Sequence, residues 1–276
     1  MDPSVSKQVP SAAAEAAAPS QLSLLLRAFR YRNYRLFFSG QGISLIGTWL
    51  TRIASSWLVY RLTDSAFLLG LVAFAGQAPT LILAPFAGVF VDRWDRHRLL
   101  VVTQILAMIQ AFALAALTLA QLINIPLIIT LSVFQGLINA FDMPARQAFL
   151  IEMIENHEDL PNAIALNSSM VNGARLIGPS IAGILIAWVG EGLCFLVDGF
   201  SYVAVVAALL AMRVKPRPRV QNRQSHWVEL REGVAYAFGF APIRTVLIVA
   251  SIVSIMGMSY TVLMPVFATQ VLHGGS

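Results

Sequence analysis

The sequence predicts an all-α membrane protein, and three observations carry that prediction. Hydrophobic residues make up 57% of the chain and charged residues 12%, where a soluble domain carries roughly 25% charge. Stretches nearly free of charge recur at about 20–25 residues, enough at about 1.5 Å per residue for a helix to cross a bilayer. The remaining charge is mostly basic and gathers in short segments between those stretches, where it sets orientation.

Other classes fall away on the same grounds. A net charge of +5 would point a soluble protein toward nucleic acid. Here the bases flank apolar spans, so the implied partners are the lipid bilayer and anionic headgroups at the cytoplasmic face. Cys194 is the one cysteine, which excludes an internal disulfide. The four histidines, His97, His157, His226 and His273, fall in or beside expected loops, so neither a metal site nor a cofactor is expected.

Taken in order, residues 1–21 are Ala- and Pro-rich without an apolar core and read as a disordered tail. Residues 22–35 interleave leucines and aromatics with Arg27, Arg30, Arg32 and Arg35, the pattern of a short amphipathic helix on the cytoplasmic surface. The first span, 34–60, carries Gln41, Ser44, Thr48, Arg52 and Ser55 on one helical face. Arg52 lies within the hydrocarbon, where a central charge costs on the order of 2.5–3.5 kcal/mol. Either a partner or wet cavity compensates, or the side chain snorkels to the outer headgroups.

The second span, 66–91, contains two interior prolines, Pro79 and Pro85, and the third, 99–120, has little polarity beyond Gln104 and Gln110 and reads as peripheral. Between them lies a knot of charge with Gly88, Asp92, Arg93, Arg96 and Arg98 at the spacing G-x-x-x-D-R-x-x-R-x-R. Gly88 would let another helix approach closely, Asp92 sets a carboxylate beside a helix end and the arginines meet the headgroups; the alternative is a positive-inside anchor and nothing more. The fourth span, from about residue 127, aligns Ser132, Gln135, Asn139, Asp142 and Arg146 on one face.

In the fifth span, 162–189, Ala174, Gly178 and Ala182 form a close-packing strip, with Pro179 and Gly183 in the same motif. Asn172 and Arg175 lie on an adjacent strip, and Arg175 stands near the bilayer midplane, where snorkelling is hard. It is either cavity-lining or paired with Asp198 of the sixth span, 193–212. Asp198 is the carboxylate inside that span and a candidate for ion coupling or a counter-charge. A basic linker over 214–241 ends in an amphipathic helix, and 243–268 makes a seventh span. Basic residues concentrate on one side, which puts the amino terminus in the cytoplasm.

The charged loop resembles the one between the second and third helices of the major facilitator superfamily, with Asp95 and His97 where glycine and a base are usual. The run Ala174-Arg-Leu-Ile-Gly178-Pro179-Ser-Ile-Ala-Gly183 is similar to the fifth-helix motif of its exporters. Strings such as GTWLTRIASSWLVYRLT and FDMPARQAF resemble the bacterial carriers grouped with the enterobactin exporter. One departure is Ser132, where family members often carry an arginine ahead of Gln135-Gly136.

The resemblance implies a six-helix bundle of two inverted three-helix repeats over 22–213, followed by the linker and the start of a second half over 242–276. It implies a multi-pass protein of the bacterial plasma membrane that exports a drug, siderophore or metabolite by alternating access. The loop Gly88–Arg98 would be the inner gate. Gln41, Ser44, Thr48, Arg52, Gln135, Asn139, Asp142, Asn172 and Arg175 would line the pathway. Carriers of this kind have about twelve spans, so the expectation is an amino-terminal portion whose carboxyl-terminal half is missing. The alternative is a non-transporting truncated or scaffold protein. A seven-span receptor fits poorly: the amino terminus is inside, and both lysines, Lys7 and Lys215, lie outside the spans. An enzyme is not expected, because no nucleophile–base pair or paired carboxylates lie within the spans.

Overall fold

The computed structural model describes residues 26–214 and 226–272. The expected tail over 1–21 and most of the basic part of the linker lie outside the described residues. Among the described residues seven α-helices follow one another: α1 (Arg32–Thr63), α2 (Ala66–Arg93), α3 (Arg96–Leu119), α4 (Ile125–Glu152), α5 (Leu160–Leu210), α6 (His226–Gly239) and α7 (Ala241–Val266). Their starts follow from local chemistry. The side chains of Ser65, Asp95 and Asn124 accept hydrogen bonds from the backbone N–H groups of Leu68, Arg98 and Leu127, capping α2, α3 and α4.

Among the described residues, Ala66–Ala84, Arg96–Leu119, Ile125–Glu152 and His157–Leu210 are long and apolar enough to cross a membrane. A fifth such span arises if α6 and the first part of α7, bent by 92° at their junction, count as one. With 32 residues, α1 has the length at about 48 Å. Its polar face lowers its apolarity; Gln41 and Ser44 of that face are buried in the bundle, while Thr48 and Arg52 stay exposed.

A straight α5 of 51 residues would reach about 77 Å, more than twice the hydrocarbon thickness of about 30 Å. It breaks at Gly190, whose φ of 79° favours glycine. The two arms, 160–189 and 191–210, run in opposite directions beside α1. On the first arm Met170 lies near Gly42 and Gly178 sits against Trp49. On the second, Ala208 and Val205 lie at Gly40 while Asp198 and Ser201 lie at Gly47. The numbering rises with α1 along one arm and falls along the other, so the expected fifth and sixth spans form a hairpin around α1.

Two apolar clusters close the bundle at its ends. One gathers Tyr34, Phe37, Leu100, Phe149 and Leu209; the other gathers Leu50, Leu58, Leu69, Ile186 and Phe195. Leucines and aromatics from α2 and α5, among them Phe67, Leu81, Leu176 and Trp188, remain exposed, as lipid-facing side chains do.

Two expectations change. The amphipathic surface helix over 22–35 is, among its described residues, a short 3₁₀ turn, Arg27–Arg30, and Arg32 and Arg35 belong to α1. The turn is tied down: the backbone N–H of Ala28 donates to Asn162 Oδ1 at 3.0 Å, and Arg30 pairs with Asp159. Nor is α3 peripheral within this bundle. It buries Thr103, Gln104, Ala107, Gln110 and Ala111, and its Leu119 and Phe112 side chains pack on Gly192 and Gly199 of α5.

Gly136 of α4 faces the backbone oxygen of Gly76 and, 3.1 Å from where a Cβ would sit, Pro79 Cδ of α2. A Cβ on Gly183 would meet nothing within 4 Å, so no helix makes a close approach there. Gly136→Ala is therefore expected to destabilise by about 1–3 kcal/mol through forced separation of α2 from α4. Gly183→Ala should be neutral or stabilising by up to about 1 kcal/mol. Thermal unfolding of both variants in detergent measures the contrast.

Candidate functional site

The turn between α2 and α3 is held by a chain of charges. Arg96 donates through Nη2 to Asp92 Oδ1 at 2.9 Å and through Nη1 to Glu152 Oε1 of α4 at 2.7 Å. The two bonds are unequal. The Asp92 side chain is 72% exposed and that of Glu152 16%, so water screens the first far more than the second. Arg98 lies 3.6 Å from Asp95 in a looser pair. Arg93 is exposed, and a Cβ on Gly88 would meet nothing within 4 Å.

Both residues that depart from the family spacing have local work. Asp95 caps α3, as described, and His97 donates from Nε2 to the carbonyl of Leu209 at 2.8 Å. The imidazole also packs on the ring of Phe149. The turn is thereby joined to α4 and to the end of α5.

A second charge lock lies beside it. Arg30 Nη2 donates to Tyr31 Oη at 2.9 Å, and Tyr31 donates to Asp159 Oδ2 at 2.7 Å. The hydrogen bond to Tyr31, with the Asp159 carboxylate adding to it, holds the Arg30 guanidinium above the usual arginine range.

Between the apolar clusters lies a layer of buried polar side chains. Asp142 Oδ1 accepts from Thr103 Oγ1 at 2.8 Å and from Gln104 Nε2 at 2.7 Å. Its other oxygen pairs with Arg146, one turn on, which also donates to Gln41 Oε1 of α1. Gln41 and Asp142 are thus engaged across α1, α3 and α4, and Ser44 is buried beside them on α1. Gln135 and Asn139 bond to each other along α4 at 3.1 Å. Asp198 is buried and its carboxylate accepts from Ser201 Oγ at 3.2 Å. Among the described residues no cation pairs with it, and Arg175 in particular does not.

The remaining polar residues stand elsewhere. Thr48, Arg52, Asn172 and Arg175 are exposed. Thr48 donates to the Ser44 carbonyl of its own helix and Asn172 to that of Ser168. Ala174 and Gly178 are buried, Gly178 against Trp49 of α1, and Pro179 is half-buried on the same arm.

Sequence reasoning gave no role to Thr103, Gln104 or Glu152. The adjacent polar pair in an otherwise apolar span was the available signal for the first two. The role of Glu152 depends on α4 ending at the level of the α2–α3 turn, which no local pattern states.

Asp142→Asn removes the anion facing half-buried Arg146 and is expected to cost on the order of 3 kcal/mol. Thr103→Val deletes one donor and should cost about 1.5 kcal/mol. Unfolding midpoints followed by tryptophan fluorescence in micelles separate the two.

Comparison with known proteins gives the lineage of this arrangement. Residues 25–276 match the transmembrane secretion effector family. The staphyloferrin A transporter of Staphylococcus aureus is 29% identical over 243 residues, covering 88% of this chain and 61% of the transporter. Macrolide efflux protein A of Streptococcus pyogenes is 21% identical over 251 residues, or 89% of this chain and 62% of that protein. The multidrug efflux pump Tap of Mycolicibacterium fortuitum is 28% identical over 173 residues, 61% of this chain and 42% of the pump. The chain thus spans about three fifths of the length of the first two relatives. With a bundle of long apolar helices, a charge-locked α2–α3 turn and a family match over nearly all its length, this chain belongs to the transmembrane secretion effectors, a branch of the major facilitator superfamily.

Proposed function

We propose that the protein is a secondary active carrier that exports a small molecule from bacteria by alternating access, driven by an ion gradient. The observation that carries the reading is the uncovered polar face of α1 and the first arm of α5. Thr48, Arg52, Asn172 and Arg175 are exposed there, while Asp142, Gln41 and Arg146 are tied to one another inside. A polar face kept at bilayer depth is costly unless it lines a wet cavity. Relatives named as a staphyloferrin A transporter and as efflux proteins supply the expectation of export. No catalytic reaction is assigned to the chain.

In this reading residues 22–213 form a six-helix half, 214–241 a cytoplasmic linker, and 242–276 the beginning of a second half. The amino terminus lies in the cytoplasm, and the Arg-rich α2–α3 turn meets anionic headgroups there. That turn is the inner latch. Its Arg96–Glu152 pair keeps α3 on α4, while exposed Asp92 is the member free to exchange partners as the halves rock. Buried Asp198 serves as the coupling or counter-charge group.

The test is flux in proteoliposomes under an imposed pH gradient, with radiolabelled erythromycin and tricarballylate as solutes. Gradient-dependent movement of either solute is expected, and correctly inserted protein that moves neither would contradict the reading. Asp92→Asn should slow that flux about tenfold while insertion and melting stay near wild type. Its Coulomb contribution to stability, about 0–1 kcal/mol, is small.

A further inference from the structure

Trp49 and Gly178 lock α1 to the first arm of α5. A Cβ on Gly178 would lie 2.5 Å from Trp49 Cβ and 2.8 Å from its Cγ, so the backbones meet at that level. Three residues from this contact on each helix stands an arginine, Arg52 on α1 and Arg175 on α5. Both are exposed, and they stand on neighbouring helices one turn from the Trp49–Gly178 contact. The Arg52 guanidinium lies over the Trp49 ring, 5.2 Å from its centroid. Neither arginine belongs to an ion pair among the described residues. The nearest expected counter-charge, Asp198, is turned toward Gly47 and Ser201 on the other arm.

Two like charges within the bilayer repel one another and lack bulk water, so holding both in reach of each other favours a negatively charged third party. Arginine adds a geometric requirement. Its planar fork suits two-oxygen acceptors such as carboxylates, and the stacked indole fixes the plane of the Arg52 fork while leaving its edge N–H groups available.

We propose that Arg52 and Arg175 together form the binding site for a small-molecule anion with at least two carboxylate groups, one for each guanidinium. The assignment rests on the carrier reading above and adds the substrate class. A lipid phosphate would satisfy part of the same chemistry. A soluble polycarboxylate fits better, because two forks on neighbouring helices call for two separated acceptors in one molecule.

The test is equilibrium binding of tricarballylate to the full chain in nanodiscs of phosphatidylcholine, by titration calorimetry at pH 7. Tricarballylate should bind and its trimethyl ester should not. Arg52→Gln and Arg175→Gln should each weaken binding at least tenfold, with Arg175→Lys recovering part of the loss and an unchanged melting point as the folding control. Equal binding by the double Gln variant, equal binding of the ester, or no binding of tricarballylate would overturn the site. So would displacement of tricarballylate by phosphatidylglycerol in the discs, which would assign the pair to headgroups. Erythromycin flux without tricarballylate binding would refute this site and leave the carrier reading intact. Tricarballylate binding without flux of any solute would do the reverse.

Discussion

Three donors converge on the carboxylate of Asp142, and the helices around it have little freedom once those bonds form. Thr103 and Gln104 bring α3, Arg146 completes the charge balance, and Gln41 extends the network to α1. An ionised carboxylate among apolar helices costs several kcal/mol unless paired and hydrogen-bonded. The alternative arrangements of α1, α3 and α4 would leave it bare. Hydrophobic packing alone would not choose between them, because lipid tails are as apolar as the leucines they replace.

The rest of the bundle is arranged around that layer by close backbone contact. Gly40 and Gly47 let the second arm of α5 lie on α1, Gly178 lets the first arm do the same, and Gly136 brings α4 to α2. Gly190 supplies the reversal between the arms. Small residues take this part because, without a hydrophobic drive between helices, association depends on van der Waals contact. At the basic end the Arg96–Glu152 and Arg30–Asp159 pairs tie loops to helix ends. They stand at the boundary where arginines and carboxylates meet water.

Much of this was legible in the sequence where a period or a cap carries the information. The helical spacing of Gln41 and Ser44, and of Gln135, Asn139 and Asp142, put each set on one face. The charged knot ended α2 and opened α3. Whether a polar face meets a cavity or another helix depends on what packs against it, and periodicity is silent there. Gln41 and Asp142 are bonded inside the bundle, while Arg52 and Arg175, equally regular in spacing, are exposed. The pairing of Asp198 with Arg175 was plausible from depth alone. It fails because the Gly190 reversal carries Asp198 to the opposite side of α1, beside Gly47. Arg27–Arg30 read as a surface helix because its tether, Asn162, is more than a hundred residues away in sequence.

The account requires that the α2–α3 turn and the α3–α4 turn lie on opposite sides of a membrane, with the Asp142 layer between them. Cysteine placed at Asp95 in the first turn, or at exposed Leu122 in the second, can be probed in intact cells with a membrane-impermeant maleimide. Labelling of Leu122→Cys at once, and of Asp95→Cys only after permeabilisation, is the predicted result. Labelling of both positions from outside, or of neither before permeabilisation, would contradict it.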